Sequence, residues 1–152
     1  MTIYFYSALE SPYECFSNFS PHGFVIAGVY YKTSEHYFQA MKFARSPQDM
    51  QAVIRASTPK LAATIGRDRK RPLRRDWESV KDGIMRQGVL AKFEAHPDIR
   101  QILLDTGDEP IVENAPHDYY WGCGTDGTGK NMLGKILVET RAILRQKYSP
   151  KG

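Results

Sequence analysis

Cysteine is scarce in this chain of 152 residues, with only Cys15 and Cys123 present. Two lone cysteines supply neither a disulfide framework nor a four-cysteine zinc site, and His22, His36, His96 and His117 show no H-x-x-x-H spacing. The sequence therefore implies no metal and no cofactor. Long apolar runs are also missing. Nothing approaches the roughly 20 residues needed to span a bilayer, and Met1-Thr2-Ile3-Tyr4 opens without the basic flank and apolar stretch of a secretory signal. A soluble protein of the reducing cytoplasm, with no membrane partner, is expected. There is no G-x-S-x-G elbow to support a serine hydrolase, and no internal repeat that would argue for an array.

What is present is an ordinary globular composition, 41% hydrophobic and 25% charged, at a length typical of one domain. The expectation is a single domain over residues 1–148 with a short tail at 149–152. The formal charge is +4, and much of the excess lies in Arg67-Asp68-Arg69-Lys70-Arg71-Pro72-Leu73-Arg74-Arg75. Such a cluster attracts phosphorylated or nucleic-acid partners. On charge alone, a solvated loop explains it equally well.

Local patterns predict an α+β fold, helix-rich, with a small antiparallel sheet. Ile3 to Tyr6 is rich in β-formers, and Phe24 to Tyr31 reads as a hairpin turning near Ala27-Gly28. Ser34 stands as an N-cap, with Glu35 in the first turn of a helix reaching about Ala44. Ser46-Pro47 and Thr58-Pro59 start short helices over about 47–56 and 59–65, the second stopped by Gly66. Asp76 caps a longer helix from Trp77 to about Ala95, which His96-Pro97 ends. A helix over Ile99 to Leu104, a strand at Ile111-Val112-Glu113 and a closing helix from about Asn131 to Lys147 complete the reading.

The first of these helices carries Glu35, Gln39 and Lys42 at i, i+4 and i+7, so a carboxylate, an amide and an amine fall on one stripe. Most of the remaining circumference is apolar. A stripe of this kind faces either water or a cleft, and the flanking Tyr37, Phe38 and Phe43 favour the cleft. Trp77 and Trp121, the only tryptophans, are read either as core or as platforms for a base.

Gly124-Thr125-Asp126-Gly127-Thr128-Gly129-Lys130-Asn131 fits G-x-x-x-x-G-K. Asn131, however, replaces the Ser or Thr that would hold magnesium, and Tyr119-Tyr120-Trp121-Gly122 is a poor preceding strand, so a nucleotide triphosphatase is disfavoured. What survives is a glycine-rich loop feeding a helix N-terminus near Asn131, either an anion site or a tight surface turn.

Several separated segments together resemble one family. They are Phe16-Ser17-Asn18-Phe19-Ser20-Pro21, Ser34 to Phe43, Gly66-Arg67, Arg75-Asp76-Trp77-Glu78-Ser79-Val80-Lys81, Ala91-Lys92-Phe93-Glu94, Asp118-Tyr119-Tyr120-Trp121-Gly122, and Asn131-Met132-Leu133-Gly134-Lys135. The set, in this order and across nearly the whole chain, resembles the NADAR (YbiA-like) family. The resemblance implies a YbiA-like fold and an N-glycosidase that hydrolyses a ribose–nitrogen bond. The substrate is then a phosphoribosylamino-pyrimidine intermediate of riboflavin biosynthesis, or ADP-ribosylated guanine with nucleic acid as its carrier. It also implies that Glu35, Trp77 and Asp118 form the catalytic set, with Lys42 and Asn18 as site partners.

Breaking such a bond develops positive charge at the anomeric carbon while the departing nitrogen takes a proton, work that suits two carboxyl groups. Glu35 is assigned acid/base transfer, and Asp118 either stabilises the sugar cation or orients its hydroxyls. Lys42 either contacts phosphate or attacks the opened sugar as a Schiff-base nucleophile. Gln39, Arg67, Trp77, Trp121 and Asn131 are the expected substrate contacts, with phosphate at the closing-helix N-terminus. A rival from another class is a non-catalytic module that binds ADP-ribose or a nucleotide, and a third is a nucleic-acid-binding protein using the basic loop and aromatics.

Overall fold

The structure, a computed structural model, describes residues 1–7 and 12–148. The tail expected at 149–152 lies outside the described residues. Six α-helices and four three-residue strands are present among those residues, giving the helix-rich α+β fold with a small antiparallel sheet that the patterns predict. The chain packs as two compact units, Asn18–Lys92 and Met1–Ser17 with Phe93–Gly152.

In the Asn18–Lys92 unit, β2 (Phe24–Ile26) and β3 (Val29–Tyr31) form the antiparallel hairpin, with Phe24 opposite Tyr31. Ala27 (φ 51°) and Gly28 (φ 80°) make the turn with two successive left-handed residues, whose twist matches that of the strands. The inner face of the hairpin stacks on α1 (Ser34–Met41) through Tyr37, whose ring centroid lies 5.0 Å from Tyr31 and 5.9 Å from Phe24. α2 (Pro47–Ile54) and α3 (Pro59–Gly66) pack against α1 and each other. α4 (Trp77–Ala95) runs out of this unit, its last residues belonging to the other. The carboxylate of Asp76 is gripped by Arg74, whose Nε and Nη2 donate at 2.6 and 2.9 Å.

The N-cap of α1 is Thr33, one residue before the expected Ser34. Thr33 Oγ1 accepts the His36 N–H at 3.1 Å, so Ser34 is already the first helical residue. Regular helix stops at Met41 rather than Ala44, because the Lys42 and Phe43 amides turn to carbonyls three residues back. Lys42 keeps right-handed helical angles (φ −58°, ψ −27°), which continues the stripe from Glu35.

In the other unit, β1 (Ile3–Phe5) pairs with β4 (Ile111–Glu113) in parallel, separately from the hairpin. The strand predicted at the front of the sequence thus finds a partner more than a hundred residues away. α5 (Pro97–Asp105) begins two residues earlier than expected, on proline at its first position. α6 (Met132–Tyr148) lies against β4. That approach depends on Gly134, where a Cβ would stand 2.0 Å from the Ile111 carbonyl oxygen. Buried Arg141 ties α6 to the chain after α5, donating through Nη1 to Thr106 Oγ1 (2.9 Å) and the Glu109 carbonyl (2.7 Å).

Asn131 completes this unit. Its φ is 52°, and its amide imitates a neighbouring strand. Nδ2 donates to the Ile111 carbonyl and Oδ1 accepts the Glu113 N–H, both at 2.9 Å. Asn131→Ala strips both partners from a half-buried strand edge. An unfolding free energy lower by about 2 kcal/mol is expected from urea denaturation.

Candidate active site

The stripe predicted on α1 is buried. Glu35, Gln39 and Lys42 are only 8%, 3% and 8% exposed, so the exposed-seam reading fails. Polar groups withdrawn from water need partners. Gln39 Nε2 donates to Glu35 Oε2 at 2.7 Å, and Lys42 Nζ donates toward the Gly66 carbonyl at 3.4 Å. That carbonyl belongs to the last residue of α3, the negative end of a helix, where cations are favoured. Arg69 Nη2 donates to the same oxygen at 2.7 Å.

Aromatic rings wall the amine. Phe38 and Trp77 meet edge to face, 5.0 Å between centroids, and Lys42 Nζ lies 5.7 Å from each ring. Burial, with Arg69 and then Arg67 adding like charge, pulls the Lys42 ammonium down to about 8, against an opposing pull from Glu35. About a tenth of the amine is therefore neutral at pH 7, far more than for an exposed lysine. Trp77 is 6% exposed, which makes it a wall of the site and not an open stacking platform.

Asn18 sets the start of the stripe. Its backbone carbonyl accepts the Glu35 N–H at 3.1 Å, and its Oδ1 accepts the Ser34 hydroxyl at 2.9 Å. Neighbouring His36, wholly buried, is a bolt. Nε2 bonds the Ala56 carbonyl at 2.9 Å, which fixes Nδ1 as acceptor of the Thr33 hydroxyl at 2.8 Å. Burial lowers its pKa and keeps it neutral.

The other compact unit holds Asp118, Trp121 and Asn131. Asp118 Oδ1 accepts the Tyr120 and Trp121 amides at 3.0 and 2.7 Å, organising its own loop. Half-buried Trp121 meets Tyr120 edge to face at 4.8 Å. A cleft of about 360 Å³ opens here, lined in part by Tyr4, Asn114, Cys123, Thr125 and Asn131. The anion site expected at the closing-helix N-terminus does not survive. Every backbone N–H from Gly127 to Leu133 already has an acceptor within the chain, among them the Tyr120 carbonyl for Met132 and the Trp121 carbonyl for Leu133, both near 3 Å. A phosphate would have to displace them, and Asn131 spends its amide on β4.

The structure thus gathers Glu35, Gln39, Lys42, Asn18, Trp77 and the Arg67 end of α3 in one unit. Two participants escape sequence reasoning, the Gly66 carbonyl and Arg69. The only signal available for them is that a helix ending at Gly66 leaves its last carbonyls unpaired, beside a run of arginines. No group of three or more metal-binding side chains occurs among the described residues, and no helix among them is long and apolar enough to cross a membrane.

Residues 4–145 match the NADAR domain. The sequence is 51% identical to N-glycosidase Npun_R5314 of Nostoc punctiforme, covering 100% of this chain and 98% of that protein. It is 46% identical to N-glycosidase YbiA of Escherichia coli, over 93% of this chain and 88% of that one. The NMR structure of E. coli YbiA superposes with a TM-score of 0.89 at 43% identity, covering 100% of this chain and 90% of that one. The chain belongs to the NADAR family. Its relatives also include the riboflavin biosynthesis protein PYRR of Zea mays, 39% identical over 86% of this chain but only 23% of that longer protein.

Proposed function

We propose that this chain, a hydrolase acting on N-glycosyl bonds, cleaves a phosphorylated ribose from the exocyclic amine of a phosphoribosylamino-pyrimidine at the Glu35–Gln39–Lys42 stripe. The observation that carries the reading is a buried amine with a pKa of about 8 next to a buried carboxylate, under an aromatic wall. A buried amine held below its ordinary value beside a carboxylate is the mark of a reactive site, which favours an enzyme over a silent binding module. Two relatives named as riboflavin biosynthesis proteins, in Zea mays and Vibrio vulnificus, support the choice of substrate, and Arg67 and Arg69 provide the field that draws an anionic sugar.

A ribose joined to an amine opens to an imine. Glu35 takes a proton from the Lys42 ammonium, and the neutral amine adds to that imine carbon as Glu35 passes the proton to the imine nitrogen, giving a carbon that carries both nitrogens. A second proton passes through Glu35 from the lysine nitrogen to the leaving nitrogen, whose bond to carbon breaks as the free amine departs and the Lys42 Schiff base forms. Water then hydrolyses the Lys42 Schiff base, freeing the sugar aldehyde and the amine. Lys42 and Glu35 share one proton in the productive state, so kcat/KM is expected to follow a bell-shaped pH profile, its alkaline limb near 8. Asp118 is kept as the stabiliser of the sugar cation. Asp118→Asn retains the Oδ1 acceptor its loop needs while removing the charge, which separates the two roles.

The test is incubation with a phosphoribosylamino-pyrimidine and, separately, with an ADP-ribosylated guanosine oligonucleotide, following released base and sugar by mass spectrometry. Release from the pyrimidine with at least tenfold higher kcat/KM is expected. Preference for the oligonucleotide transfers the reading to ADP-ribosylated guanine, and inertness toward both rejects it.

A further inference from the structure

We infer that Gln39 is a positioning residue for Glu35 and not a substrate contact, its amide oriented by the bond to Glu35 and housed in the space that glycine leaves at position 66. The inference rests on the acid/base role proposed for Glu35. Gln39 is 3% exposed, and its amide nitrogen is committed to Glu35 Oε2 at 2.7 Å. Its Oε1 is buried with no hydrogen-bond partner. A Cβ at residue 66 would lie 1.9 Å from that oxygen, so the carbonyl end of the amide occupies the space an alanine would need. Turning the amide over would set its oxygen against an ionised carboxylate, oxygen to oxygen. The unpartnered acceptor is therefore the cost of aiming the N–H at Glu35.

This arrangement has a chemical consequence. A hydrogen bond donated to a carboxylate favours its charged form and fixes its direction. Glu35 must be ionised when the Lys42 ammonium surrenders its proton, and it must face both that amine and the leaving nitrogen. The charged groups that act on Lys42 beside this seat are Glu35 on α1, with Arg67 and Arg69 from the segment after α3.

The experiment compares the wild type with Gln39→Leu and the isosteric Gln39→Glu, measuring the pH profile of kcat/KM and following the Glu35 carboxyl carbon by ¹³C NMR titration without substrate. With Gln39→Leu the acid limb and the Glu35 titration should both move up by about one pH unit, and kcat should fall roughly ten- to a hundredfold with little change in KM. Gln39→Glu places two carboxylates at hydrogen-bond distance and should move the acid limb further in the same direction. It also gives the answer if the leucine variant does not fold. A raised KM with an unmoved acid limb and titration would show a substrate contact and overturn the inference. Loss of the wild-type dependence on Glu35 overturns the parent reading instead, and Glu35→Gln detects that separately.

Discussion

Glu35→Gln is expected to lower kcat by roughly a thousandfold, the span typical of removing a positioned acid/base, while the variant melts like the wild type. The fold should tolerate it. The glutamine keeps the shape of the side chain, its backbone N–H remains on the Asn18 carbonyl, and its Oε can still accept the Gln39 amide proton. What disappears is the group able to take a proton from Lys42 and give it to the leaving nitrogen. Glu35 also raises the Lys42 pKa, so its neutralisation should push that amine further down. Steady-state kinetics of amine release, with circular dichroism melts of both proteins, check the two halves of the prediction. Near-normal turnover in the variant removes Glu35 from the chemistry.

Lys42→Met should abolish turnover and make the protein more stable at neutral pH. Lys42 titrates at about 8 in the folded chain against 10.5 ordinarily, so the unfolded chain binds its proton more tightly. The folded state therefore bears a penalty that is full below about pH 8, shrinks as pH rises, and is gone near 10.5. Methionine removes the charge and keeps most of the volume, and Arg69 still serves the Gly66 carbonyl. At pH 7 the variant should gain up to about 3 kcal/mol over the wild type, the two curves converging toward pH 10. Urea denaturation at both pH values measures this. A variant less stable than the wild type at pH 7 would show the ammonium is well solvated or well paired, and a poor source of free amine. The expected exchange of stability for activity is common where a strained group does the chemistry.

Local signals in the sequence reach the structure in some places and stop short in others. The hairpin at Ala27-Gly28, the proline-started helices at Pro47 and Pro59 and the long helix from Trp77 are visible because each depends on residues within a turn of one another. The partner of β1 is not visible in this way, since its pairing with Ile111–Glu113 depends on chain closure over more than a hundred residues. The same distinction applies to the site. Helical spacing alone lines up Glu35, Gln39 and Lys42, but their burial and the pKa of Lys42 come from Trp77, Gly66 and Arg69, which lie on other segments. The glycine loop misleads for a physical reason. Glycine content announces freedom of φ without saying where the amides point, and here they point inward.

The most direct test of the account is borohydride reduction of the protein during turnover of a phosphoribosylamino-pyrimidine, followed by peptide mapping with mass spectrometry. One reduced ribose-phosphate adduct on Lys42 is expected, absent from Lys42→Met and strongly reduced in Glu35→Gln. Undiminished turnover with no adduct, or an adduct on another lysine, would contradict it.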